Sequence, residues 1–463
     1  MGFRRRAAPL AGALAALTLV CASPSVLAEP HSPRSSATAW IAAAEPPAAC
    51  AGRAKDVPGG PDGAGSCWPG PSNTGVPAGT QLTAYTGPCS ITAANTVIEG
   101  KTVNCALGIR AANVTIKNSR INGTVILDTD SSGSSTWSLT LQDSEVDAGQ
   151  VQLSAVGWGN LKVIRSNVHG GQTSVQCEEN SVSCLVQDSY LHGQYLPSNE
   201  PWHLGGFLSD GGRNITLQHN FIVCDQPVNA VSEGCTGDVN FIPNFAPING
   251  ALIERNLFGA NAGSSYCTYG GEKATSPTPN SFNVIYRDNV FQRGESGKCA
   301  AFGPVTDFDV RNSGNQWTCN IWDNGGLVAA PNTSGGSRLT CDADRDGLND
   351  DAELRRYRTD ARWRDTDTDG LLDGAEVNRY RTNPRSRDTD RDGLTDNAEV
   401  RRYHTDARRR DTDRDGILDG AEVNRYRTNP RNRDTDGDGW TDGAELRAGT
   451  NPRARLSHPT SSK

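Results

Sequence analysis

Between about Thr96 and Asn324 the chain alternates apolar and polar positions in very short runs, and one phrase keeps returning. It reads "NVTIKNSRI" from Asn113, "SLTLQDSEV" from Ser138, "NLKVIRSNV" from Asn160 and "SCLVQDSYL" from Ser183, with later copies "NITLQHNFI", "GALIERNLF" and "NVIYRDNVF". Each holds a short alternating strand, a polar pair closed by Ser or Asn, and a further apolar residue. The closing residue falls at 119, 144, 166, 189, 220, 256 and 289, so the spacing starts at 25, 22 and 23 residues and widens to 31, 36 and 33. A period in the low twenties with no helix between the strands predicts a parallel β-solenoid. One coil cannot bury its own apolar face and must stack on its neighbours. At period two the side chains of Val114, Ile116, Leu139, Leu141, Ile215 and Leu217 should point inward. The polar closing residues suit turns, where side chains bond nearby backbone groups. The rival fold, an antiparallel sandwich, wants hairpin turns such as the "ING" at Ile121. A phrase repeated in one orientation favours the solenoid.

From Asp342 the pattern becomes one of charge. Five twelve-residue loops begin at an unvarying period of 23, each with Asp at positions 1, 3, 5 and 9, Gly at 6 and Glu at 12. The candidate ligands are Asp342, Asp344, Asp346, Asp350 and Glu353; Asp365, Asp367, Asp369, Asp373 and Glu376; Asp388, Asp390, Asp392, Asp396 and Glu399; Asp411, Asp413, Asp415, Asp419 and Glu422; and Asp434, Asp436, Asp438, Asp442 and Glu445. Calcium takes six to eight oxygens, alternate carboxylates wrap it, Gly at 6 allows the sharp turn and the carbonyl at 7 adds a ligand. Magnesium is less suited to such an all-protein cage. A solvated acidic tail is the bland alternative, and five copies with fixed glycines argue against it. The apolar residue stands at position 7 (Leu348, Leu371, Leu394, Ile417, Trp440), and no long helices flank the loops. Between them run phrases such as "VNRYRTNPRSR", with Tyr380, Tyr403 or Tyr426 and dense arginine, expected to pair with carboxylates between sites. This segment resembles bacterial thrombospondin type 3 repeats over about 110 residues. The resemblance implies loops strung along a calcium-ordered rod that loosens when metal is withdrawn.

The solenoid, in turn, resembles right-handed parallel β-helix proteins, the architecture of pectate lyases and many other polysaccharide-acting enzymes. The fold class expected is therefore mainly β, a right-handed parallel β-helix followed by a calcium-binding repeat rod. The polygalacturonase motifs (Asn-Thr-Asp, a double Asp, Gly-His-Gly, Arg-Ile-Lys) are absent from the solenoid, and the arginine motifs of pectate lyases find no match. The resemblance therefore implies an architecture and leaves the chemistry to individual residues. "VHGG" at His169 and "LHG" at His192 fall at coil ends.

Extra residues in a solenoid become loops on one face, often the binding face. Three insertions stand out: "GQYLPSNEPWHLGGFLSDGG", "CDQPVNAVSEGCTGDVNFIPNF" and "NAGSSYCTYGGEKATSPTPN". They supply candidate acids and bases in His203, Asp210, Glu233, Asp238 and Glu272, and candidate sugar contacts in Trp202, Tyr266, Tyr269 and Lys273. Glycoside hydrolysis needs two carboxylates flanking a bond, and a lyase needs a base beside a uronate whose charge a cation neutralises. No spacing singles out a pair. Four functions stay open: polysaccharide lyase, glycoside hydrolase, non-catalytic adhesin or matrix module, and calcium binding alone. His219, inside a copy of the turn phrase, is expected to be structural.

The first 28 residues, with a basic start, an apolar run from Ala7 to Val20 and "VLA" before Glu29, have the layout of a cleaved secretory signal, too short to span a membrane. Twelve of the 13 cysteines lie between Cys50 and Cys341. An even number without a CxxC pair argues for disulfides in an oxidising compartment rather than zinc. Sequence neighbours suggest Cys177 with Cys184, Cys224 with Cys235, Cys267 with Cys299, and Cys50 with Cys67. A net charge of −8 argues against nucleic acid as the main partner. The expected order is signal (1–28), Pro/Gly-rich linker and loop-rich cap (29–80), β-helix (81–327), linker (328–340), five repeats (341–452) and tail (453–463). The protein is thus expected to be secreted, to bind calcium, and to recognise or cleave an extracellular polysaccharide.

Overall fold

The structure, a computed structural model, describes residues 50, 52–129, 131–178, 180–272, 281–329 and 341–459. The expected signal sequence and Lys273 lie outside the described residues. No helix among those described is long and apolar enough to cross a membrane.

Short strands form three sheets of 10, 9 and 9 strands, and each sheet takes every third strand of the chain. The first runs from Thr83–Ala84 to Ile321–Trp322, the second from Ser90–Ile91 to Gly303–Thr306, and the third from Val97–Glu99 to Gln316–Thr318. Neighbours pair in parallel, as in Leu139↔Leu161 and Val186↔Leu217. This is a parallel β-helix, one strand per coil in each sheet. Val114, Ile116, Leu139, Leu141, Ile215 and Leu217 all point into it, none more than 2% exposed. The later, longer coils fill their wider interior with rings. Phe258 stacks on Phe291 at 4.4 Å, and Tyr286 meets Phe241, Phe308 and Trp317.

The repeated phrase has a specific geometry. After each third-sheet strand one residue takes a left-handed conformation: Asn118, Asp143, Arg165, Asp188, His219, Arg255 and Asp288, with φ between 45° and 55°. The next residue is the closing Ser or Asn, and all seven are buried with 0% exposure. Each accepts the main-chain N–H of its counterpart one coil earlier: Ser144 from Ser119 (3.1 Å), Asn220 from Ser189 (2.9 Å), Asn256 from Asn220 (3.0 Å) and Asn289 from Asn256 (2.9 Å). The asparagines also donate back, Asn256 Nδ2 to the Leu217 carbonyl at 2.8 Å. Asn320 adds an eighth rung.

All four suggested cysteine pairs are disulfides, joined by Cys89–Cys105 and Cys319–Cys341. The segment stapled by Cys50–Cys67 lies along the outward face of the first sheet rather than over the first coil. There Trp68 packs with Phe221, Val223, Leu257, Val290 and Ile321 in a second apolar cluster. Outward positions of the first sheet are Arg120, Glu145 and Asn167 in early coils and apolar in these later ones, which is why the segment settles there. His219 fixes it. The ring stacks on Trp68 at 5.3 Å, with Nδ1 2.6 Å from Asp188 and Nε2 3.2 Å from Asp62. Burial opposes its charge, but the two carboxylates outweigh burial and raise its pKa. The same segment reaches the first acidic repeat through Lys55–Asp360 (2.9 Å) and Arg362–Asp56.

The three insertions do not form one set of loops. Each contains its own second-sheet strand, Leu204–Ser209, Cys235–Phe241 or Tyr266–Gly270, so its irregular parts fall at two different corners of the coil.

Replacing Asn256 with Ala leaves the Asn220 N–H and the Leu217 carbonyl without these partners. We expect a loss of about 2–4 kcal/mol in chemical denaturation of the calcium-loaded protein. Asn256→Ser, which restores an acceptor of the kind used at 144 and 166, should cost less.

Candidate metal centre

In each acidic loop the carboxylates at positions 1, 3 and 5 fold back onto the chain that carries them. In the second loop Asp365 accepts the N–H groups of Thr368 (2.7 Å) and Gly370 (2.9 Å), Asp367 that of Asp369 (3.1 Å), and Asp369 that of Leu371 (2.7 Å). This winding requires left-handed backbone at position 6, where Gly347, Gly370, Gly393, Gly416 and Gly439 have φ of 91–102°. Position 9 opens a short helical turn, Asp373–Ala375, which widens into a π-turn, Glu376–Tyr380, and stops at left-handed Arg381. The turn sets Glu376 facing back into the loop.

Two threonines hold these acids. Thr366 at position 2 donates its hydroxyl and N–H to Asp373 (2.6 and 2.8 Å), and Thr382, six residues after the glutamate, donates to Glu376 Oε1 (3.0 Å). Thr389, Thr412 and Thr435 repeat the first bond, and Thr359, Thr405 and Thr428 the second. What is left over decides the chemistry. Oδ2 of Asp344, Asp367, Asp390, Asp413 and Asp436, and Oε2 of Glu353, Glu376, Glu399, Glu422 and Glu445, are buried with no hydrogen-bond partner. Ten carboxylate oxygens out of water are untenable as bare anions. Accordingly Asp367 is pushed up to about 7 by burial, Asp369 and Asp365, and Glu376 to about 10 by burial, Asp367 and Asp369. Hard oxygen donors converging with no hydrogen-bond donor to satisfy them fit Ca²⁺, which displaces their protons.

Position 9 ties each loop to the one before it. Asp373 lies within 4.8 Å of Asp346 and Glu353 of the preceding loop. The N–H at position 10 crosses the same seam to the position-5 carboxylate one loop earlier: Gly374 to Asp346 (2.7 Å), Asn397 to Asp369 (2.9 Å), Gly420 to Asp392 (2.7 Å) and Gly443 to Asp415 (2.9 Å). A Cβ on Gly374, Gly420 or Gly443 would sit 2.2–2.4 Å from the carbonyl oxygen of that same residue, so close approach explains glycine there. Each loop is finished by the next. After the fifth no loop follows among the described residues, and Asp438 Oδ2 and both Glu445 oxygens are unpartnered.

In the first repeat Arg345, Arg355 and Arg362 pair with carboxylates as expected, and the later arginines, with one exception, do not. The 18 from Arg379 to Arg455 are all exposed, and among them only Arg409 forms an ion pair, with Asp406 at 3.5 Å. Four stack instead on the adjacent tyrosine, Arg356 on Tyr357, Arg379 on Tyr380, Arg402 on Tyr403 and Arg425 on Tyr426, at 5.0–5.1 Å.

A family model for the bacterial TSP3 repeat matches residues 365–384, 388–406, 411–432 and 434–452. The segment is therefore a run of bacterial TSP3 repeats, of the calcium-binding type. The loop from Asp342 to Glu353 precedes the match and shares its geometry. No curated protein and no solved structure matches the chain. The chain is thus a parallel β-helix bearing calcium-binding TSP3 repeats.

The other candidate residues are dispersed. His203 and Glu233 meet at the corner between the first and second sheets, Nδ1 3.6 Å from Oε2, with Trp202 edge-on to Tyr195 at 6.0 Å. Asp210 and Glu272 lie at the corner between the second and third sheets. Asp210 accepts from Asn244 (2.7 Å) and Gln176 (3.4 Å), and Glu272 from Asn312. The six-residue strand Leu204–Ser209 keeps the two corners about 20 Å apart. Asp238 is fully buried beside Cys267–Cys299, takes the Cys224 N–H at 2.8 Å, and has its pKa raised by burial. It faces no open surface. Tyr266 and Tyr269 stand edge-to-face at 5.7 Å, joined by Phe302, which the sequence had not singled out. The threonine at position 2, present in four of five loops, was visible in the sequence and went unread.

Two outcomes follow for the repeats. Without metal the folded loops hold protons on Glu376 (about 10) and Glu399 (about 9), while unfolded glutamates release theirs near 4.5. The folded form then binds more protons throughout that window, so the chelated segment should lose stability as pH rises from about 5 to 9. Calcium binding, which displaces those protons, should strengthen over the same range. Circular dichroism in chelator at pH 5 and pH 8, set against calcium calorimetry, checks both signs. Thr382→Val, which removes the hydroxyl that aims Glu376, should weaken one calcium site about tenfold in a titration and leave the others near wild type.

Proposed function

We propose that the protein is exported, stabilised by calcium at its repeats, and recognises an extracellular polysaccharide through its β-helix. The observation that carries this reading is the aromatic group on the second sheet. Tyr266 lies 5.7 Å from both Tyr269 and Phe302, and Phe302 is 69% exposed. Tyr269 is in register with Asn240 and Thr306 of the adjoining coils. The open ring of Phe302 with the half-buried rings of Tyr266 and Tyr269 beside it suits the apolar faces of sugars, and the Thr306 hydroxyl lies on the adjoining coil. Six disulfides fit an oxidising, extracellular setting.

A catalytic version has one observation in its favour. Burial and Asp309 push Glu272 up to about 7, in the range of a general acid. Asp210 stands at the same corner two coils earlier, about 10 Å away by coil spacing, near the upper end of the separation used by inverting glycosidases. His203 and Glu233, at the other corner, belong to neither.

The test is retention of the calcium-loaded protein on a panel of neutral and acidic polysaccharides, with reducing ends and unsaturated uronates followed in the same samples. Tyr266→Ala and Phe302→Ala should each weaken retention about tenfold. Retention that ignores both changes would sink the platform. Product release abolished by Glu272→Gln would make the protein a hydrolase or lyase, and its absence leaves a binding module.

A further inference from the structure

The repeats segregate charge. Between Cys341 and Pro459 there are 28 Asp and Glu and 24 Arg, with no Lys. Of the acids, 25 occupy the loop positions, and those at positions 9 and 12 are buried to 3% exposure or less in all five loops. The arginines from Arg379 onward are all on the outside and almost unpaired. Loosened by loss of metal, with every carboxylate ionised, the segment carries a formal charge of about −4, and refolding with one Ca²⁺ per loop brings it to about +6. The metal's charge goes to the inner carboxylates and leaves the exposed arginines as they are. What remains exposed is guanidinium, presented every 23 residues as an Arg stacked on its neighbouring Tyr.

We propose that calcium loading turns the repeat segment into a cationic surface that binds sulfated or uronate-rich polysaccharide, at a site separate from the aromatic group of the β-helix. A guanidinium forks onto a carboxylate or sulfate, and the tyrosine ring beneath it offers a face to the sugar. The stacked pair also keeps the arginine pre-set, which lowers the ordering cost of binding. The disulfide-rich, extracellular character of the chain favours polysaccharide over nucleic acid as the polyanion. The device is conditional. With the loops empty the segment loosens, its carboxylates ionise among the arginines and offset them, and attraction for a polyanion is lost.

The experiment uses the full mature chain on immobilised heparin, a sulfated uronate polysaccharide, in about 1 mM calcium or in chelator at equal ionic strength. We expect retention in calcium only. Replacing Arg379, Arg402 and Arg425 together with Gln should weaken binding about tenfold and bring elution to lower salt, with calcium stoichiometry by calorimetry unchanged. Tyr266→Ala and Phe302→Ala should leave heparin binding intact, so failure of the β-helix platform and failure of this surface are told apart. Equal retention in chelator would overturn the proposal, as would retention indifferent to the triple substitution, which would mean calcium bridges the polysaccharide directly. Retention of duplex DNA but not heparin would overturn it in favour of nucleic acid.

Discussion

The amide oxygen of Asn256 takes the N–H of Asn220, and the Asn256 N–H is taken in turn by Asn289. The corner between the third and first sheets depends, coil after coil, on this handing-on of one main-chain donor to a side chain of the next. The donor is buried, and a buried N–H without a partner costs as much as the whole net gain of several surface contacts. A coil of this length is therefore incomplete until its successor is laid on it. The apolar interior obeys the same rule, because two to seven residues per strand cannot enclose themselves.

The acidic repeats carry that dependence over into electrostatics. Asp373 belongs to its own loop through Thr366 and to the loop before it through Asp346 and Glu353. Carboxylates that close are tolerable only with a cation among them, so metal and neighbour are required together. The first loop is anchored differently. With no loop before it, it is joined to the β-helix by Cys319–Cys341 and by Arg345 beside Glu254 (3.6 Å) and Asp288 (4.0 Å). Arg362 adds contacts to Asp56 and to the Asp323 carbonyl. The amino-terminal segment under Trp68 thus touches both the β-helix and the first calcium loop, and ordering at the loop bears on how that segment is held.

Widening of the later coils proved to mean two things at once. Part of the added length makes longer second-sheet strands and an aromatic interior, and part makes loops at two corners. A six-residue strand between the corners is enough to separate His203 from Asp210, which stand seven residues apart in sequence. The aromatic group of Tyr266, Tyr269 and Phe302 forms because parallel register sets Tyr266 opposite Gly303, next to Phe302.

Periodicity by itself determined the two architectures. The Ser or Asn at each turn, the inward Val, Ile and Leu, and the Asp-x-Asp-x-Asp-Gly loops are local patterns. Repetition fixes their meaning because each copy meets an identical neighbour, and most disulfides were legible for the same reason, since their partners are close in the chain. Only the tertiary structure decided what repetition does not encode. It sent Asp238 into the interior beside a disulfide, assigned position 9 of each loop to a shared seam, turned the arginines from Arg379 onward outward instead of into ion pairs, and laid Trp68 on the outer face of the first sheet. The places of Asp238 and Trp68 depend on contacts between non-identical parts of the chain, and the seam and the arginines on how successive repeats are laid together; distance in space is set by stacking and strand length, and spacing in the sequence carries no record of it.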